Sequence, residues 1–165
     1  AAPRLPQSLG DGFLVPVQAG AARWVAVVGE SLSSRRGDGE LLLTLGPPEM
    51  GMGVTGLAVS PDGTRVAVAL FDRPTRVFDV ASGQLLGEAG RFRDVAFVDN
   101  DTLLGAGFSP ATGFDVALCT ITGRRIHALP LQQWCQQWCS LLDVGPASRR
   151  ALVSGYGRVL VLAWR

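Results

Sequence analysis

The chain has 165 residues, enough for one domain with its own core or for three to four units of a repeat architecture. Hydrophobic residues make up 47% and charged residues 18%, which excludes a disordered chain. The net charge of +1 gives no global field that would draw nucleic acid or an acidic membrane surface. No apolar run approaches the roughly 18 to 20 residues of a membrane helix, so no membrane insertion is expected. All 15 basic residues are arginines; with no lysine, Schiff-base and lysine general-base chemistry are excluded. Three cysteines, Cys119, Cys135 and Cys139, are too few for a disulfide framework and suit reduced thiols. The opening AAPRLPQSL has neither a charged nor an apolar leader region, so an intracellular, soluble chain is expected.

Short apolar runs then alternate with turn residues, drawn from 21 glycines and 10 prolines. Within residues 12–46, GFLVPVQ, RWVAVVGE and ELLLTLG read as three strands, with SLSSRRGDG (Ser31 to Gly39) as a solvated hairpin tip. Next come LAVSPDGTRVAVAL, from Leu57 to Leu70, and VAFVDNDTLLGAGF, from Val95 to Phe108. These align without a gap at a spacing of 38 residues. Each is strand, four-residue turn, strand: Pro61-Asp62-Gly63 turns the first, and Asp99-Asn100-Asp101 turns the second through side chains that bond their own backbone. A further hairpin follows each, TRVFDVASGQLLGEAG and FDVALCTITGRRIHAL. A third copy, LLDVGPASRRALVSGY, runs from Leu141 to Tyr156, and RVLVLAWR after it reads as a third strand.

The expected organisation is a single β-propeller segment over 1–165. It comprises a partial blade at 12–46, blades at 54–90 and 91–131, an insert at 132–139 and a partial blade at 140–165. The strand count is fourteen, in groups of three, four, four and three. The fold class is all-β, with blades of four antiparallel strands, either a partial propeller or one completed by another chain. A two-sheet sandwich would show cleaner polar alternation. Here the strands are apolar on both faces and carry small residues such as Ala67, Ala69, Gly105 and Gly107, which suits sheets packed on both sides.

SPDGTRVAVA followed by TRVFDVASGQLL resembles a WD-repeat blade, with Phe78-Asp79 at the family's Trp-Asp pair. The likeness is good from Val54 to Gly90 and fair from Arg91 to Leu131; related quinoprotein-like propellers also fit. The resemblance implies a protein-interaction scaffold or structural subunit. No Gly-His pair precedes a first strand, and the only histidine, His127, lies in a last strand where it reads as half-buried. The family's buried Asp–His–Ser/Thr–Trp network therefore cannot form.

The tandem QQWC repeat places Trp134 and Trp138 on one insert, as buried anchors or as partner contacts. Its cysteines match no common zinc spacing, and no metal or cofactor is expected. The pairs Arg35-Arg36 and Arg124-Arg125 are further partner-binding candidates, and Arg149-Arg150 is a third pair. Arg36-Gly37-Asp38 is an integrin-ligand tripeptide in a glycine-rich stretch where such matches arise by chance. No nucleophile–base pair or convergent carboxylates stand out, so no catalytic residue is assigned. The alternative function is a propeller enzyme or sensor, of the quinoprotein-like dehydrogenase or lactonase type, with its site in the central channel. Expected partners are other protein chains, or the remainder of a longer propeller, rather than nucleic acid.

Overall fold

The computed structural model describes residues 14–16, 23–28, 31–36, 41–44, 53–109, 113–131, 140–145, 149–155 and 158–164. The described strands form four antiparallel sheets in chain order. The first holds β1 (Leu14–Pro16), β2 (Arg23–Val28), β3 (Ser31–Arg36) and β4 (Leu41–Thr44). The second holds β5 (Val54–Val59), β6 (Arg65–Leu70), β7 (Arg73–Asp79) and β8 (Leu85–Glu88). The third holds β9 (Asp94–Phe97), β10 (Thr102–Ser109), β11 (Gly113–Thr120) and β12 (Arg125–Pro130). The fourth holds β13 (Ser140–Gly145), β14 (Arg150–Gly155) and β15 (Arg158–Ala163). The first strands of consecutive sheets, β1, β5, β9 and β13, neighbour one another, so the sheets radiate from a common axis.

Two sequence expectations are corrected. Ser31–Arg36 is a strand, not a hairpin tip, so the first sheet has four described strands where three were expected. Its serines and the glycines that follow it suggest a loop, but β3 pairs residue by residue with β2 from Val28↔Ser31 to Arg23↔Arg36. Ser33 and Ser34 are buried there, where packing outweighs their weak strand preference. The second correction concerns register. Val59 pairs Val66, whereas Phe97 pairs Leu103, so the turn is one residue shorter in the third sheet. A one-residue slip turns every side chain to the other face. The true counterpart of Val66 is therefore Leu103, and that of Phe71 is Phe108.

Each gap between consecutive sheets is filled by its own apolar core. Val25 and Leu32 of the first sheet meet Val66, Val68, Leu70 and Phe78. On the other side of the second sheet, Ala67, Ala69 and Val77 meet Val95, Phe97, Leu103, Ala117 and Cys119. Leu104, Ala106 and Val116 then meet Ala151 and Val153 of the fourth sheet. A strand buried on both faces has no polar side to present, which explains the near-continuous apolar runs.

The connection from β8 to β9 is seated by Phe92, which is 2% exposed. Its ring occupies the space a side chain would take at Gly105, where a Cβ atom would lie 2.1 Å from the ring. At Gly107 a Cβ would lie 2.4 Å from the Arg91 carbonyl oxygen. Gly105 is thus required by close approach. Gly105→Ala is expected to cost about 1–3 kcal/mol of stability through overpacking. A smaller increment is expected in a Phe92→Ala background, where the space is free. Urea unfolding of the two single variants and the double variant measures this; equal costs in both backgrounds would refute the ring-in-glycine packing.

Candidate interaction surfaces

The antiparallel strands give the molecule two ends. At the hairpin end lie the turns joining first to second and third to fourth strands of each sheet. At the crossover end lie the β6–β7 and β10–β11 turns and the sheet-to-sheet connections.

A cleft of about 330 Å³ opens at the crossover end between the second and third sheets. It is lined by Leu70, Phe71, Asp72, Arg91, Phe92, Arg93, Phe108 and Phe114. The turn Phe71-Asp72 is tight, with Asp72 at φ 55°, a left-handed value that aspartate tolerates better than most residues. The Phe71 amide donates to the Gly53 carbonyl at 2.6 Å and holds the turn down. Phe71 and Phe108, at matching positions of neighbouring sheets, are both more than half exposed. Phe108 meets Phe114 edge to face at 5.5 Å between centroids. Arg91 and Arg93 alternate with buried Phe92, and both are exposed. The Arg93 amide donates to the Ala106 carbonyl at 2.8 Å, fixing this stretch to the third sheet. The Arg93 guanidinium lies 5.4 Å from the Phe71 ring centroid, within cation–π range. An anchored phenylalanine thus directs two cations to the rim of an aromatic cleft. Sequence reasoning missed this site because its residues come from three separate segments; the exposed Arg-Phe-Arg alternation was the available signal.

The three Arg-Arg pairs all map to the hairpin end, at the end of β3, across the β11–β12 turn and the start of β12, and at the start of β14. Arg35 is partly buried and its Nε donates to Ser33 Oγ at 3.1 Å. Arg36 closes β3 opposite Arg23. Arg124 is exposed. Arg125 is engaged, its Nη2 lying 2.6 Å from Oδ2 of Asp115, a carboxylate only 2% exposed. Trp134 and Trp138, with Cys135 and Cys139, lie outside the described residues, as do Gly37 and Asp38. His127 is exposed on the outer strand β12, not half-buried as its apolar neighbours suggested, because an outer strand has little stacked against it.

Carboxylates offset the arginines at this end. Asp62 Oδ1 accepts from Ser60 Oγ at 2.6 Å, the Thr64 amide at 3.0 Å and Thr64 Oγ1 at 2.8 Å. Asp79 Oδ1 accepts from the Ala81 and Ser82 amides and from Ser82 Oγ. Asp99 accepts from the Asp101 amide at 2.8 Å, the turn-stabilising role expected of it. Neighbouring sheets are tied turn to turn: the Asp62 amide donates to Asn100 Oδ1, and Arg65 bonds the Asn100 carbonyl and the Asp101 carboxylate. At the axis, Asp94 accepts from its neighbour Val95 and, through Oδ2, from the Leu141 amide of the fourth sheet at 2.9 Å.

These bonds set the ionisation behaviour. The Ser60 hydroxyl, the Thr64 amide and the Thr64 hydroxyl hold Asp62 below the ordinary carboxylate range. The Ser82 hydroxyl and amide, with the Ala81 amide, do the same for Asp79. Burial pushes Asp94 upward, against the pull of the Leu141 and Val95 amides. Burial also pushes the Cys119 thiol up, so it stays protonated and a weak nucleophile. Among the described residues, no three His, Cys, Asp or Glu side chains converge as a metal site would need. No described helix is long and apolar enough to cross a membrane.

No sequence-family profile matches the chain. No curated protein matches it in sequence. Solved structures do match. The C-terminal WD40 domain of Sif2 superposes with a TM-score of 0.73 at 18% identity, covering 98% of this chain and 46% of that one. The computationally designed Ika4 protein superposes with a TM-score of 0.64 at 14% identity, over 86% of this chain and 85% of that one. With its radial four-stranded sheets, the chain has the fold of a WD-repeat-like β-propeller, built as a partial set of blades. It spans about half the length of the Sif2 domain.

The lowered carboxylates imply an acid limb in stability. A folded pKa below the unfolded value of about 3.9 adds stability above that value and loses it as pH falls through the folded pKa. Asp94, raised, acts in the opposite sense, because protonation relieves its burial. Asp79→Ala is expected to cost under about 1 kcal/mol at pH 7, given its exposure, and to flatten the fall in stability between roughly pH 5 and pH 2. Urea midpoints across that range test this; an unchanged slope would remove Asp79 from the account.

Proposed function

We propose that this chain is a non-catalytic interaction scaffold or structural subunit that receives a peptide in the cleft between its second and third blades. The observation that carries the reading is the pair Phe71 and Phe108, exposed at equivalent positions on either side of an apolar cleft. Large exposed aromatics beside arginine are what energetically dominant interface sites use. Arg91 and Arg93 add a preference for a carboxylate next to an aromatic or aliphatic anchor, while Asp72 is the one acidic group on the lining. Trp134, Trp138, Arg35, Arg36, Arg124 and Arg125 belong to the proposal as further partner contacts. Of these, Arg124 is the exposed cation at the hairpin end best suited to an acidic partner.

The enzyme or sensor reading would need several ionisable groups converging on the axis. Of the first strands, β9 offers Asp94 and β13 offers Asp143, and Asp94 is engaged by the Val95 and Leu141 amides as a structural tie. That favours the scaffold.

Fluorescence anisotropy with labelled peptides alternating Phe or Leu with Glu, and a Lys-containing counterpart, tests the reading. The acidic peptide should bind, and Phe71→Ala and Arg93→Ala should each weaken it by about tenfold, or 1.4 kcal/mol. Equal binding of the basic peptide, or indifference to Phe71→Ala, would overturn the assignment of the cleft.

A further inference from the structure

The second strand of each sheet opens at the hairpin end, on Arg23, Arg65, Thr102 and Arg150 in turn. In the second sheet this residue shares a face with Ala67 and so looks toward the third. Its guanidinium crosses the gap, bonds the Asn100 carbonyl and lies 2.6 Å from the Asp101 carboxylate. An ion pair thereby spans the second and third sheets at that end. Of the four positions, only that of the third sheet lacks arginine. Thr102 shares a face with Leu104 and looks toward the fourth sheet, but a threonine side chain has none of arginine's reach. Opposite stands Arg149, which precedes β14 as Asp101 precedes β10. The cation that spans the preceding gap is thus missing here, and a cation stands where its anionic partner would be.

What remains is a cavity of about 370 Å³ between the third and fourth sheets. That is within the roughly 300–1,000 Å³ of small-molecule sites. Its wall is apolar, with Val98, Leu118 and Ile126 on the third sheet's side and Trp164 on the fourth's. Ile126 is 52% exposed, and Leu118 and Trp164 are half-buried, so solvent reaches the wall. The polar groups of the lining are Arg149, Thr102 and Asp99. Arg149 stands at φ 50°, a left-handed value that glycine or asparagine adopts more readily. The Trp164 amide donates to the Arg149 carbonyl at 3.1 Å and fixes the indole-bearing residue beside it. Among the described residues no carboxylate pairs with Arg149, whereas Arg65, Arg76 and Arg125 each have one.

We propose that this cavity binds a small apolar monocarboxylate. Its carboxylate meets Arg149 and the Thr102 hydroxyl, and its hydrocarbon body lies against Trp164, Ile126, Leu118 and Val98. The ligand takes the place of the arginine side chain that spans the preceding gap, with the polarity of the ion pair reversed. A guanidinium beside a hydroxyl donor matches one carboxylate group. Asp99 on the same rim opposes a second negative charge, which disfavours a phosphate. The cavity lies at the hairpin end, away from the crossover-end cleft that holds Phe71 and Phe108. This inference and the peptide-binding reading therefore stand or fall separately.

Isothermal titration calorimetry of the 165-residue chain with phenylbutanoate, its amide and the corresponding amine tests the proposal. The acid should bind, the amide about tenfold more weakly, and the amine not measurably. Arg149→Gln should weaken the acid by about tenfold and leave the amide unchanged, a split that a loss of packing would not produce. Thr102→Arg combined with Arg149→Asp rebuilds the pair that Arg65 and Asp101 form in the preceding gap. The double variant should lose acid binding while its urea midpoint stays no lower than that of either single variant. No binding of the acid, or equal affinity for acid and amide, would overturn the proposal. So would acid binding that survives the double variant, or that is lost in Phe71→Ala and kept in Arg149→Gln.

Discussion

Face-to-face packing of neighbouring sheets is the interaction on which this structure depends. No single four-stranded sheet here has a core of its own. The second and third are stabilised by removing both apolar faces from water against the sheets on either side, and the first and fourth by packing one face on a neighbour. Stability is therefore shared along the arc, and an end without a neighbour exposes what the middle hides. Valines and alanines dominate because stacked sheets must approach closely on both sides at once.

That packing also creates the cleft. To bring β9 beside β5, the chain must cross from the outer strand β8 back to the axis, and Phe92 anchors the crossing in the space over Gly105. With Phe92 inward, period-two alternation turns Arg91 and Arg93 outward. Phe71, beyond the last paired rung of the second sheet, and Phe108, in the next-to-last rung of the third, stand exposed beside them. Core packing and surface chemistry are here consequences of one backbone path.

Charge serves mainly to hold turns and junctions. Asp62, Asp79 and Asp99 organise the local backbone, Arg65 and Asn100 join adjacent turns, and Asp94 links two inner strands. Most of these are exposed and individually weak, yet they fix the same end of successive blades in register. The family's buried histidine network has no counterpart, since the only histidine sits exposed on an outer strand.

The sequence by itself determined the strand–turn–strand units, the repeat and the turn roles of Pro61-Asp62-Gly63 and Asp99, because alternation and turn chemistry are local. Its unbroken apolar runs also pointed to strands packed on both faces, as β6 is. Only the tertiary structure decided that Ser31–Arg36 is a strand, since its pairing with β2 outweighs a loop-like composition. Only the tertiary structure decided the register after each turn, since one residue more or less cannot be weighed without the partner strand. And only the arc brought Phe71, Arg93 and Phe108 together while leaving Val159 and Val161 uncovered, because which surfaces meet is set by the stacking of whole sheets.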